Sequence, residues 1–100
     1  MIGYKLMRKR RDGTYGSLFI DRARRLVPGI VYPEQDVKTK GYAHRPGWHV
    51  CERPYAPHLS TNGRVWCKVS FAHKDTVIRP ECQGGIWYLG RDMEIIEEVQ

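Results

Sequence analysis

Six side chains of this sequence are suited to hold an anionic ligand, and they stand in three stretches rich in glycine or proline, residues 41–51, 54–60 and 79–89. An arginine fork pairs with phosphate or carboxylate, an indole stacks on a base, and a glutamine amide reads a base edge. Loops of this composition frequently carry function. The predicted ligand-binding residues are Arg45, Trp48, His49, His58, Gln83 and Trp87.

The spacing of the first two stretches lets Arg45, His49 and His58 converge, because only about four residues of strand at ~3.3 Å each separate the loops. A guanidinium beside two imidazoles attracts an anion, which in turn raises the histidines' affinity for protons. The competing interpretations are structural, with Trp48 as a core anchor and His58 as a surface residue of a stiff loop. General-base catalysis by either histidine is the weakest hypothesis, since neither has a partnered acid or nucleophile, and catalytic residues stay unassigned.

A basic cluster near the start of the chain is the second candidate surface, and it precedes an Asp-Gly hairpin signal. The net charge is +6, eight basic residues fall within residues 1–25, and residues 92–100 carry four acids and no base. A basic excess favours nucleic acid, nucleotide or phosphate as a partner. No aromatic residue is interleaved with the cluster, so a stacking platform for single strands is not supported. It is either a solvated turn or an electrostatic patch of Arg8, Lys9, Arg10 and Arg11.

Length and cysteine usage exclude several classes of protein. With 100 residues the chain predicts one domain, residues 1–100, too short for a TIM barrel or a doubly wound dinucleotide fold. No apolar run approaches the roughly 20 residues of a membrane span, and the start does not resemble a secretory signal. Three widely spaced cysteines without a CxxC pair predict free thiols in the cytoplasm, with no metal and no cofactor.

The hydrophobic pattern predicts an α+β protein that is mostly antiparallel sheet with one or two short helices. The clearest strand covers residues 64–71, where Val65, Cys67, Val69 and Phe71 alternate with polar or larger residues and are expected to face the core. In strand 48–51, His49 and Cys51 are expected on one face, with Trp48 and Val50 on the other. Further strands are predicted at 2–9, 15–20, 30–32 and 86–89, residues 91–99 form a strand or a helix, 54–60 hold one helical turn, and 33–47 and 72–85 are loops.

The chain also resembles a known group of sequences. The runs HRPGWHVCERPYAPHLS, GRVWCKVSF and RPECQGGIWYLG are similar to a family of small uncharacterised proteins of bacteriophages and prophages. The resemblance covers nearly the whole chain, and it implies a phage-encoded protein in the host cytoplasm. It carries no activity with it.

A more distant similarity runs through GWHVCERPYAPHL, GRVWCKV and GGIWYLGRDMEII, whose order is similar to the core of ADP-ribosyltransferase-like folds. That resemblance implies an opening strand at residues 4–7 and a nicotinamide pocket beside residues 48–51. Active transferases place a glutamate at the start of the last strands, where this chain has residues 83–86, and Glu81 lies two positions away. The resemblance therefore implies a truncated, inactive relative that keeps a nucleotide-shaped cleft.

Three functions follow as hypotheses. The first is a small phage binding protein that captures a nucleotide or nucleotide-derived ligand and counters a host defence. The second is an accessory factor that binds nucleic acid or a host protein through the basic N-terminal face, and the third is an ADP-ribosyltransferase-like enzyme. No membrane partner is expected, and self-association is left open. Salt dependence separates the first two, since a phosphate-backbone binder loses affinity steeply as salt rises.

Overall fold

The computed structural model describes residues 1–18, 24–34 and 47–99 and contains one antiparallel sheet of eight strands. Seven strands follow one another as hydrogen-bonded neighbours in the order β3-β8-β5-β1-β4-β7-β6, and β2 pairs with β1 off this path. A 3₁₀ turn at Glu81–Gln83 is the one helical element in this part of the chain. The strands are β1 Ile2–Lys9, β2 Tyr15–Gly16, β3 Val31–Pro33, β4 Trp48–Cys51, β5 Arg64–Ser70, β6 His73–Ile78, β7 Ile86–Gly90 and β8 Asp92–Val99.

The predicted antiparallel sheet is confirmed, but the helical turn predicted at 54–60 is not formed, and among residues 1–18, 24–34 and 47–99 the helical content is the single 3₁₀ turn. Residues 91–99 are a strand, and the prediction of a loop over 72–85 is wrong because β6 lies inside it. All but one of the β6 residues are exposed, so this edge strand lacks the alternation that a buried face imposes. The fold gives no support to the ADP-ribosyltransferase-like similarity.

Strand β1 organises the sheet, because it is paired along both of its edges. One edge pairs with β5 from Ile2 opposite Ser70 to Arg8 opposite Arg64. The other edge is shared, with Tyr4 opposite Cys51 of β4 and the last residues of β1 against β2. The chain beyond Lys9 therefore projects from the end of the sheet as a hairpin.

The hydrophobic core lies against one face of this sheet. Cys67 and Val69 of β5 are fully buried in it, and Val65 packs against it, as the alternation predicts. The opposite strand contributes Met7, which places the odd-numbered residues of β1 on the core face. The buried cluster consists of Met7, Leu26, Val50, Cys67, Val69, Phe71, Met93 and Ile95.

The sheet curls around this core, so that strands distant in the hydrogen-bonded order meet. The Trp48 indole Nε1 of β4 donates a hydrogen bond to the carbonyl oxygen of Tyr32 in β3 at 3.1 Å. Lys74 of the β6 edge pairs with Glu34, just beyond the β3 edge, at 2.9 Å. Side-chain contacts therefore connect the two edge strands, β3 and β6, to parts of the sheet that are not their hydrogen-bonded neighbours.

The three thiols differ in exposure, because two lie in strands and one lies in the 3₁₀ turn. Cys51 and Cys67 are 1% and 0% exposed, and burial raises the pKa of each thiol to about 12. Cys82, in the 3₁₀ turn, is exposed. Because the thiolate is the reactive form, native protein at pH 7.5 is expected to take up one equivalent of a maleimide, at Cys82. Peptide mapping after labelling tests this, and rapid modification of Cys67 without denaturant would show that β5 is inverted.

Candidate functional site

Five of the six predicted ligand-binding residues fall within the described chain, and the sheet divides them between its two faces. Trp48 packs against the core, whereas the alternation of β4 turns His49 to the opposite face with Cys51. The register places Trp87 on that same opposite face, across from Cys51. Arg45 lies outside the described residues. The expected faces of β4 are therefore present, and they separate Trp48 from His49.

His58, Gln83 and Trp87 do come together on the face opposite the core. The His58 and Trp87 rings meet edge to face with centroids 6.2 Å apart. The Trp87 Nε1 donates to the Gln83 carbonyl oxygen at 2.7 Å, which ties the indole to the 3₁₀ turn. Gly84, at φ +97°, leaves room for the Tyr55 carbonyl, which a Cβ would approach to 2.8 Å. Backbone contacts thus account for the position of Trp87 and for the glycine beside it.

Two cationic side chains lie against the ring of Trp48 on the core face. Lys5 Nζ lies 5.9 Å and Arg24 Cζ lies 5.8 Å from the Trp48 ring centroid, distances typical of cation–π contacts. Lys5 also donates a 2.9 Å hydrogen bond to the His49 carbonyl oxygen. Burial lowers the pKa of the Lys5 amine to about 8. This cluster closes one part of the core, and its tryptophan is a structural anchor.

The hairpin after β1 is held by its aspartate, as the Asp-Gly signal predicts. Asp12 accepts hydrogen bonds from the Thr14 hydroxyl at 2.6 Å and the Thr14 amide at 3.0 Å, which lower the pKa of its carboxyl. Its second oxygen accepts from Arg25 Nε at 2.9 Å. The single acid of the hairpin is therefore committed to Thr14 and Arg25.

A groove of about 380 Å³ lies where this hairpin meets the start of β5, and four of its six lining residues are basic. Lys9, Arg10 and Arg11 border it from the hairpin, and Arg64 borders it from β5. Gly63 and Val65 complete the lining, and the wall is mostly apolar because the aliphatic stems of the basic side chains contribute to it. Three of the four residues of the predicted electrostatic patch thus border one concave site.

The basic side chains of the groove make polar contacts with their neighbours. Lys9 pairs with Glu98 at 3.0 Å, and the hydrogen bond from Lys9 lowers the pKa of the Glu98 carboxyl. Arg64 uses Nη1 to donate to the Ser60 carbonyl oxygen at 2.9 Å, a neutral acceptor. Arg8 stands directly opposite Arg64 in the β1–β5 ladder. Two like charges directly opposite each other destabilise a sheet.

Arg64 is the site residue that the linear sequence did not single out. It lies more than fifty residues from the basic cluster, and only the β1–β5 register brings it beside Arg8. The available signal was the alternation of residues 64–71, which already turned Arg64, Trp66 and Lys68 away from the core. Only the register between β1 and β5 shows that Arg64 lies beside Arg8 on the same face of the sheet.

No family model, curated protein or solved structure matches this chain. Within residues 1–18, 24–34 and 47–99, no group of three or more histidine, cysteine, aspartate or glutamate side chains is arranged to hold a metal ion. No helix in those residues is long and apolar enough to cross a membrane.

Proposed function

We propose that this protein binds the phosphate backbone of a nucleic acid at the groove between the β1–β2 hairpin and the start of β5. The observation that carries the proposal is the lining of this open groove, which Lys9, Arg10, Arg11 and Arg64 border together. Arginine forks bind phosphate oxygens in two-pronged hydrogen bonds, and the electrostatic attraction does not depend on base sequence.

The number and spread of the cations favour a polyanion over a single phosphate. Arg8 and Lys9 end β1, and Arg10 and Arg11 continue directly into the hairpin turn, so four consecutive residues carry positive charge. Arg8 and Arg64 add a facing pair of charges at the margin of the groove. One phosphate satisfies one or two arginine forks, so this set of side chains matches several successive phosphates.

Capture of a nucleotide ligand is the second candidate, and one observation favours it. His58, Gln83 and Trp87, three of the predicted ligand-binding residues, meet beside the 3₁₀ turn. In a bacteriophage protein, removal of a nucleotide signal would counter a host defence. Transferase chemistry has less in its favour, because Glu81 is already ion-paired with Arg53. Binding of a mononucleotide that is lost in His58→Ala but kept in groove variants would support the second candidate over the first.

The groove proposal predicts a steep salt dependence. A fluorescein-labelled 20-nucleotide strand of mixed sequence, titrated by anisotropy, is expected to bind with a slope of log K against log salt of about −3, from about −0.7 for each of four neutralised phosphates. The double variant Arg11→Glu/Arg64→Glu is expected to weaken binding about 100-fold at low salt, at roughly tenfold per charge-assisted contact, and to flatten the slope.

The matched control is Arg79→Glu/Arg91→Glu, which changes the net charge by the same amount away from the groove. The Arg79 amide donates to the Gly85 carbonyl oxygen beside the 3₁₀ turn. The Arg91 amide donates to the Ala72 carbonyl oxygen next to Phe71, whose own amide donates to the Met1 carbonyl oxygen at the end of β1 remote from the hairpin. This variant is expected to bind within about threefold of the wild type. Equal losses in both double variants, or no binding of the strand at low salt, would refute the groove as the site.

A further inference from the structure

The face of the sheet opposite the core continues from the groove as a row of basic and aromatic side chains. Along β5 the residues on this face are Arg64, Trp66 and Lys68, since Cys67 and Val69 between them are in the core. The register sets Arg8 opposite Arg64, Leu6 opposite Trp66 and Tyr4 opposite Lys68. The indole of Trp66 therefore lies between two cations along β5, whereas on β1 the buried Leu6 separates Tyr4 from Arg8.

Trp66 differs from the two other tryptophans in its hydrogen bonding. The Nε1 groups of Trp48 and Trp87 donate to backbone carbonyls, which holds those indoles in the structure. For Trp66, no acceptor of its Nε1 proton is found among residues 1–18, 24–34 and 47–99. Its side chain lies outside the core cluster and is half-buried, so part of the ring faces solvent. A half-buried aromatic ring whose N–H group has no acceptor among these residues can stack on a partner and donate a hydrogen bond to it.

Tyr4 shares that position on β1. It is half-buried, and it stands diagonal to Trp66 in the antiparallel pair because its direct partner is Lys68. Diagonal positions are roughly 7–8 Å apart, which allows two bases to lie on separate rings. Lys68 stands opposite Glu97 of β8, whereas Arg8 stands opposite Arg64 at the other end of this face. The two aromatic side chains therefore lie next to the pair of arginines on the same face of the sheet.

We infer that the nucleic acid bound at the groove is single-stranded, with its bases stacked on Trp66 and Tyr4 and its phosphates held by Arg8 and Arg64. This inference rests on the proposed function and narrows it to one class of ligand. A duplex keeps its bases in the stack and cannot offer them to an indole, whereas an unpaired strand can. Stacking does not distinguish among bases strongly, so the site is expected to tolerate sequence.

The test compares a labelled 15-nucleotide thymidine strand with a mixed-sequence duplex of the same length at one low salt concentration. Trp66→Ala is expected to weaken binding of the single strand by about 5- to 150-fold, the range for loss of one stacked base, and binding of the duplex less than twofold. Trp66→Phe keeps an aromatic face and is expected to bind the single strand within about threefold of wild type. The slope of affinity against salt is expected to stay unchanged in both variants, because the arginines remain.

Crosslinking of wild-type protein gives a second measurement that does not depend on a variant folding. A single strand carrying 5-bromouridine is irradiated in complex and the protein is digested with trypsin. Cleavage after Arg64 and Lys68 isolates Trp66 in the peptide of residues 65–68, and Tyr4 in residues 1–5. Crosslinks are expected in these two peptides.

The outcomes separate the two proposals. Salt-dependent binding in which the duplex equals or exceeds the single strand, with no crosslink to residues 65–68, would overturn stacking and leave the groove proposal intact. Absence of binding by either nucleic acid would overturn both. Loss of affinity in Trp66→Phe equal to that in Trp66→Ala would also overturn stacking, because the aromatic face would then have no part in binding.

Discussion

Replacement of Val69 by aspartate is expected to leave the protein unfolded at room temperature. Val69 is fully buried, and it lies in β5 with neighbours bonded on both sides, β8 and β1. An unpaired carboxylate on the core face costs several kcal/mol, which is comparable to the whole free energy of unfolding of a small domain. Far-UV circular dichroism and a thermal melt measure the effect.

Ile78→Asp is the matched control, since it makes a similar change from a β-branched side chain to a carboxylate in a strand. Ile78 is 74% exposed on the edge strand β6, so its replacement is expected to cost less than about 1 kcal/mol, the scale of strand propensity. If Val69→Asp melted cooperatively within a few degrees of Ile78→Asp, the assignment of the β5 faces would be wrong, and the outer-face row that includes Trp66 would be wrong with it.

Lys5→Met is expected to raise the free energy of unfolding at pH 7 by about 1–2 kcal/mol. Burial lowers the pKa of the Lys5 amine from 10.5 to about 8, so holding it charged in the folded protein costs about 3 kcal/mol below pH 8. Loss of the hydrogen bond to the His49 carbonyl returns part of that gain, at about 1 kcal/mol. Urea unfolding of both proteins measures the difference.

The pH dependence identifies the amine as the cause. Between pH 8 and 10.5 the unfolded chain holds a proton on Lys5 that the folded protein has released, so the wild type gains stability from this residue as pH rises. The advantage of Lys5→Met is therefore expected to shrink by about 1 kcal/mol between pH 7.5 and pH 9. Titration of the buried thiols occurs in both proteins and largely cancels in the difference.

Lys68→Met removes the same charge from the face opposite the core and serves as the control for net charge. An advantage of Lys5→Met that stayed constant from pH 7.5 to pH 9 would show that Lys5 is protonated in the folded protein throughout that range. Burial would then not lower the pKa of the Lys5 amine into this range, and the explanation given for the effect of Lys5→Met would be wrong.

Local sequence was sufficient for the elements that have one buried face. Strands β1 and β4 begin and end at the predicted residues, and the core face of β5 follows from its alternation. Strand β6 was not predicted, because an exposed edge strand has no apolar face against the core and so lacks the alternation of apolar and polar residues. The Asp-Gly hairpin was predictable too, since the interaction of Asp12 with Thr14 spans two residues.

The candidate site depended on information that no single stretch of the sequence contains. Arg8 to Arg11 are basic on inspection, but the cavity beside them also needs Arg64, which joins them only through the pairing of β1 with β5. No aromatic residue lies within the basic cluster of residues 8–11 in the sequence. The register of β1 and β5 nevertheless places Trp66 and Tyr4 on the same face of the sheet as Arg8.

Sequence by itself therefore determined β1, β4, the apolar face of β5 and the basic hairpin, because these depend on side-chain alternation and on contacts between near neighbours. The tertiary structure decided which tryptophan is available, since the register and curl of the sheet commit Trp48 and Trp87 to backbone carbonyls and leave Trp66 on the outer face. The physical reason is that strand pairing is a long-range choice, made by burial of the whole sheet around one core and not by the residues of either strand alone.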